Sequence, residues 1–479
     1  MRKAGILLAV SSLPSKTGAG DFGPACYQFI DDLKACGMQC WQFLPLNPLG
    51  FGNSPYQPYS SFAIDDLYLS LDSLKAEGLI AGFKEYNALA DRVDYAAVRA
   101  FKEPYIYEAY QNFEPDDGYR EFIKNAWVHN YAVFKALKKH NDDKLWIDWP
   151  SKQKNWIKNH EFNLEPFKED IRLEMFAQYK LYQQWMSVKA YANKQGIQCI
   201  GDLPIYVGLD SEDVWSHQDS FLLDDDGRPL FIAGVPPDYF SKTGQRWGNP
   251  IYDWDYLKAH DFKFWEKRIA YNLSLFDIVR IDHFRAFDTY WKIPADCPTA
   301  VVGEWIEAPG YELFDYLLKT LPSFHIIAED LGDLREEVLI LRDHYHFPGM
   351  KVIEFTFDPW HEDRRSQTNM IVYPGTHDNQ TLRSWYEDQS WRFKLRCRWA
   401  LRKYQHASML DRLLEYTFCD AADTAIIAMQ DILKLNDAAR MNTPGTIGSP
   451  NWEWKMIDFS AFEQRIFELR GMLEKGNRL

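Results

Sequence analysis

Cysteine is scarce. The 479 residues contain seven (Cys26, Cys36, Cys40, Cys199, Cys297, Cys397 and Cys419), an odd and scattered set without a CxxC pair. That excludes a disulfide framework or a zinc site as an organising device and points to a reducing, cytoplasmic compartment. Long apolar runs are missing too: none approaches the roughly 20 residues of a membrane span. Met1-Arg2-Lys3 followed by AGILLAV has the charge order of a signal peptide. The run is short, however, and no small-x-small cleavage site follows cleanly before Leu13-Pro14. Excess positive charge is absent, since 54 basic against 69 acidic residues leave a formal net charge of -15. Nucleic acid and anionic membrane are therefore excluded as favoured partners, because the Coulomb energy carries the wrong sign. No repeat, low-complexity tract or Gly/Ser linker marks a domain boundary. HExxH and other metal-ligand spacings are also missing, so no metal or cofactor is expected.

What the chain does have is a globular apolar content of 46% and an aromatic content of 16%, with 18 Trp, 27 Tyr and 31 Phe. Any single ring is best explained by core packing. Rings in turn-rich stretches such as GFGNSPYQPYSSF and QRWGNPIYDW are harder to bury. The flat CH-lined faces of sugars stack on such rings, which makes carbohydrate a natural ligand class.

Short apolar runs bounded by polar or turn residues recur eight times, at 5–10, 40–46, 198–205, 276–282, 325–330, 350–355, 370–375 and 425–431. Several adjoin stretches of helical period, a pattern of parallel strands covered on both faces. Eight such strands, with no Gly-rich dinucleotide turn after the first, predict an α/β fold of the closed (β/α)8 type. The second and third runs are about 150 residues apart, too far for one crossover helix, and the intervening sequence has mostly helical period. A large helical insertion is predicted there, over 66–190, and a loop- and hairpin-rich insertion over 206–255 between the third and fourth strands. In FLLDDDGRPLFIAG an Asp-Gly turn joins two apolar stretches as a hairpin, and the EF-hand pattern fails because Leu222 occupies the first ligand position. The expectation is one catalytic barrel over 1–479 without a separate C-terminal β domain.

Barrel enzymes carry their reacting groups at the C-terminal strand ends. Asp202 closes the third run, Asp282 the fourth and Glu329-Asp330 the fifth, while Asp378 follows the seventh in GTHDNQT. Each taken alone is as readily a helix cap or a salt-bridge partner. Arg280 and Asp282, two apart on a strand, point to the same side, so the guanidinium would keep the aspartate ionised as a nucleophile must be. Glu329, framed by Ile326, Ile327, Ala328 and Leu331, has apolar neighbours that would raise its pKa and hold a proton. Opposite shifts on two carboxyl groups constitute the glycosidase arrangement, although a structural Arg-Asp pair beside an unrelated Glu stays open on spacing alone. His283 and His377 each adjoin a strand-end Asp, and hydrogen bonding to substrate suits them better than metal binding.

RIDHFRAF (280–287), IIAEDLG (326–332) and GTHDNQT (375–381) resemble signature segments of the α-amylase clan. With SSLPSKTGAGDFG, WQFLPLNPLGFGNSPYQPYSSFA, GDLPIYVGLDSEDVW, GVPPDYFSKTGQRWGNPIYDW and RMNTPGT, they are similar to the 4-α-glucanotransferases, or amylomaltases, of glycoside hydrolase family 77. The resemblance implies transfer of α-1,4-glucan segments to glucose or glucan acceptors. It also implies Asp282 as nucleophile, Glu329 as general acid/base and Asp378 as stabiliser of the transition state. Arg280, His377, Asp202 and Tyr56 would bind the sugar at the cleavage point. Tyr239, Phe240, Gln245 and Trp247 would contact it from a loop over the cleft (PPDYFSKTGQRWGN), with Asn442 a further candidate. The chain departs from the family pattern at Phe51, where some relatives carry Tyr in a remote glucan contact, and at Ala9-Val10, where many have His-Pro. An α-glucosidase or α-amylase on the same scaffold and an inert glucan-binding protein are the alternatives.

Overall fold

A computed structural model describes residues 2–237, 241–361 and 367–479. Eight parallel strands are β1 (Lys3–Leu7), β2 (Cys40–Gln42), β3 (Gln198–Leu203), β6 (Ile278–Ile281), β9 (Ile326–Ala328), β10 (Gly349–Val352), β11 (Met370–Tyr373) and β12 (Thr424–Ala428). They pair in the order β10-β11-β12-β1-β2-β3-β6-β9. The two end strands are bridged by the Ala328 N–H donating to the Pro348 carbonyl at 2.9 Å, which brings the ring to near closure. Each of the eight apolar runs contributes one barrel strand, and the (β/α)8 fold is the one the alternation predicts.

Close packing on and around the barrel strands constrains the sequence. A Cβ on Gly5 would lie 2.3 Å from the Cys40 carbonyl oxygen, and one on Gly201 would lie 2.2 Å from the Phe276 ring, so a larger residue cannot enter either strand without displacement. Around the barrel, α1 (Pro24–Cys36) starts with proline in its first turn and stops at Gly37 in the left-handed conformation, the common asymmetry of helix ends. Trp41, Phe29 and Trp185 fill the space between strands and helices.

The predicted helical insertion lies between β2 and β3. Its main elements are α2 (Tyr95–Gln111), α3 (Asp117–Phe122), α4 (Ala126–His140) and α5 (Lys168–Lys194), the last running directly into β3. Among the described residues no helix is long and apolar enough to cross a membrane.

Between β3 and β6 the architecture is richer than the expected hairpin. The Asp224–Gly227 turn forms, but its arms share only the isolated bridge between Leu223 and Pro229. The second apolar stretch instead becomes β4 (Phe231–Val235), which pairs antiparallel with β5 (Gln245–Pro250) and with β7 (Thr289–Pro294); β8 (Glu304–Glu307) completes a four-stranded sheet. Half of the sheet is supplied by sequence after β6, which local turn signals could not anticipate. The segment expected to be wholly a loop over the cleft is therefore partly strand, from Gln245 onward.

Arg478 closes the bottom of the barrel. Fully buried, it donates to the carbonyls of Phe418, Asp420, Ala422, Asp423 and Lys3 at 2.7–3.3 Å, tying β12 to β1. Arg478→Met should remove this shared charged donor from the five carbonyls and cost about 3–5 kcal/mol of stability, read by denaturant unfolding.

Candidate active site

Strand register builds the site. Asp202 on β3 stands directly opposite Arg280 on β6, so two side chains of one pleat face meet at the rim. The Arg280 guanidinium donates to both Asp202 carboxylate oxygens (2.7 and 2.8 Å) and, through its other amino group, to Asp282 at 3.0 Å. Burial works to lower the Arg280 pKa, but these two carboxylates hold it well above the ordinary arginine value. Arg280 and Asp282, two apart on one strand face, thus form an ion pair. Asp202 is also held by the Tyr56 hydroxyl at 2.7 Å.

The ladder continues past the formal strand ends. Asp282 N–H donates to the Leu203 carbonyl (3.0 Å) and Glu329 N–H to the Ile281 carbonyl (3.1 Å), which brings the two acids onto neighbouring strand ends. His283 adopts a left-handed conformation (φ 52°) that sends its N–H to the Glu329 carboxylate at 2.7 Å. Such a backbone is uncommon for a residue other than glycine. Burial pushes the Glu329 carboxyl up to about 8, aided by the Asp282 charge and opposed by Arg280 and the His283 N–H. Burial is the leading cause, and neighbouring charges act on the carboxyl in both directions. Burial takes the His283 imidazole down to about 4, so it is neutral near pH 7. Asp330 is turned away from the rim, accepting from Arg342 and from the Met350 N–H (2.7 Å).

Across the mouth, the loop after β11 presents His377 and Asp378. His377 is buried and stacked on the Tyr56 ring (5.2 Å, 14°), with its Nε2 3.6 Å from Asp378. Asn442 donates to the Asp378 carboxylate at 2.6 Å and Arg440 to the Asp378 carbonyl at 2.6 Å. On the other flank β5 brings Trp247 edge-on to His283 (4.9 Å, 90°), and Gln245 accepts from the Trp247 indole at 3.1 Å. Tyr239 and Phe240 lie outside the described residues.

Three rim residues escaped the sequence reading. Trp452 packs against Tyr56 (5.7 Å) and His377 (6.0 Å) from a segment far along the chain. Arg440 secures the Asp378 backbone. Glu354 follows β10, and the strand-end rule applied to MKVIEF would have found it; burial and nearby Asp431 push its carboxyl up to about 9. Among the described residues no group of three or more His, Cys, Asp or Glu side chains is arranged to hold a metal.

A parallel barrel that gathers carboxyl groups at its C-terminal rim defines the class of (β/α)8 enzymes. The 4-alpha-glucanotransferase family model matches residues 8–459. Among the relatives, the 4-alpha-glucanotransferase of Streptococcus pneumoniae is 39% identical over 99% of this chain and 98% of its own length. That of Thermus thermophilus is 38% identical over 100% and 99%. A solved amylomaltase from Streptococcus agalactiae, in complex with acarbose, superposes with a TM-score of 0.93 at 37% identity and 100% coverage of both chains. The chain belongs to the 4-alpha-glucanotransferase family, glycoside hydrolase family 77.

The raised Glu329 pKa has a stability consequence. A carboxyl that binds its proton more tightly when folded supports the fold below its ordinary pKa of 4.5, and that support is lost as pH rises through about 8. Unfolding of wild type and Glu329→Gln at several pH values should show the wild type declining across this window and the variant declining less.

Proposed function

We propose that this enzyme transfers a segment of an α-1,4-glucan to the 4-hydroxyl of glucose or of another glucan by retaining double displacement. The observation that carries the reading is the Arg280 guanidinium held between Asp202 and Asp282, with a proton-retaining Glu329 on the adjacent strand end. Paired to Arg280, Asp282 is the nucleophile that attacks the anomeric carbon. Glu329 gives its proton to the departing glucan oxygen, so the C–O bond breaks without releasing an alkoxide. The chain is then held as an ester on Asp282. Glu329, now ionised, takes the proton of the acceptor 4-hydroxyl, and that oxygen displaces Asp282 with a second inversion.

Asp378, its carboxylate aligned by Asn442, stabilises positive charge developing on the sugar ring. Tyr56, His377 and Asp202 bind the sugar at the cleavage point. Trp247 and Gln245, with Tyr239 and Phe240, hold the acceptor side and exclude water, which is what favours transfer over hydrolysis. Residues 66–190 and 206–255 act as subdomains framing the cleft, and the unpaired state of all seven cysteines supports a cytoplasmic setting.

Incubation with maltotriose should yield glucose together with a ladder of longer maltodextrins. Accumulation of glucose and maltose without longer products would instead identify a hydrolase, and no turnover at all an inert binding protein. Asp282→Ala should remove turnover while sparing glucan binding. Because the first step uses protonated Glu329, kcat/KM should fall as pH rises through about 8. An alkaline limb unchanged in position in Glu329→Gln would assign that titration to another group.

A further inference from the structure

A groove of about 870 Å³ lies in the helical insertion, away from the residues of the catalytic rim. That volume falls in the usual range of small-molecule sites, roughly 300–1,000 Å³. Tyr110, Phe113 and Tyr119 line it with aromatic surface, the last two meeting edge-on at 5.2 Å. The planar polar groups of Glu169 and Arg172 line it too, both exposed to solvent. Its remaining charges, Glu165 and Lys168, pair with each other at 2.7 Å. Two acids thus face two permanent cations.

The balance of charge selects the ligand class. A phosphate or other anion would need surplus donors and a cation surplus carboxylates, whereas this lining has neither. Rings for an apolar face beside planar groups that both donate and accept hydrogen bonds suit a neutral polyhydroxylated ring.

The 27 residues of α5 span about 40 Å, while the 6 residues of β3 that follow span about 20 Å. The C-terminal half of α5 is anchored on the barrel by Trp185, packed against Phe22, Phe43 and Phe276. Because α5 runs antiparallel to β3, its N-terminal turns overhang the end of the barrel where Asp202 and Arg280 stand. Glu169 and Arg172 are on those turns.

We infer that this groove is an accessory binding site for an α-glucan segment, engaging a long chain at a distance from the point of cleavage. The inference rests on the proposed glucan specificity. An oligosaccharide too short to span both places uses only the catalytic rim, whereas a long chain uses both and binds more tightly.

The test compares wild type with the charge-neutral pair Glu169→Ala/Arg172→Ala, which keeps every ring of the groove but removes the Glu169 partner of the Tyr110 hydroxyl, and with Tyr110→Ala. Transfer is measured on maltotriose and on long-chain amylose, and amylose retardation is followed in native gels. The expected result is unchanged kcat/KM on maltotriose, a KM for amylose raised about fivefold, and reduced retardation. Wild-type KM for amylose in the folded double variant, or an equal loss on both substrates, would overturn the accessory site. A wild-type enzyme that fails to disproportionate maltotriose would instead overturn the catalytic reading, and gel retardation would still report on the groove.

Discussion

The site depends on one buried cation. Arg280 points into the barrel mouth from β6, where its charge is tolerable only with carboxylates to pair it. Removing either partner from such a network leaves a charge in a low-dielectric setting and costs several kcal/mol. The two partners differ in kind. Asp202 takes two hydrogen bonds from the guanidinium and one from Tyr56, which anchors the arginine. Asp282 takes one at 3.0 Å and keeps part of its surface open to the cleft. A charge held at Asp282 then acts on the next strand, contributing to the proton affinity of Glu329. A single register, Asp202 opposite Arg280, thereby places the charges that act on Glu329 alongside its burial.

Around that pair the fold supplies walls from remote sequence. The four-stranded sheet fixes Trp247 beside His283, and the Tyr56, His377 and Trp452 rings pack on the far side of the mouth. Arg440 and Asn442 then hold Asp378 by its carbonyl and its carboxylate. These contacts are the means by which an open barrel end becomes a shaped and partly dry cleft, where charges act more strongly than in bulk water.

The barrel was readable because its strands are short, apolar and separated by turns, so all eight could be placed within a few residues. The strand-end acids followed from the same geometry, and the same-face relation of Arg280 and Asp282 from strand period alone. Other features depend on contacts that no local pattern encodes. Asp202 reaches Arg280 across a strand pair joined through an insertion, and β4 finds its partner in β7 beyond the next barrel strand. Trp452 enters from the far end of the chain. The cause of the Glu329 shift was only half legible: its apolar neighbours were visible in the sequence, whereas the Asp282 charge that adds to the rise and the left-handed His283 whose N–H opposes it were not. Glu354 was legible by the strand-end rule but was overlooked.

The most direct test of the central claim is to trap the covalent intermediate. A fluorinated maltosyl donor that slows the second displacement, followed by rapid acid quench and peptide mass spectrometry, identifies the residue carrying the sugar. The expected result is one glycosyl group on the peptide containing Asp282, formed in wild type and absent from Asp282→Ala. A label on Glu329, Asp378 or Asp202 would contradict the assignment of Asp282 as the nucleophile paired with Arg280, as would active enzyme turning over without any ester.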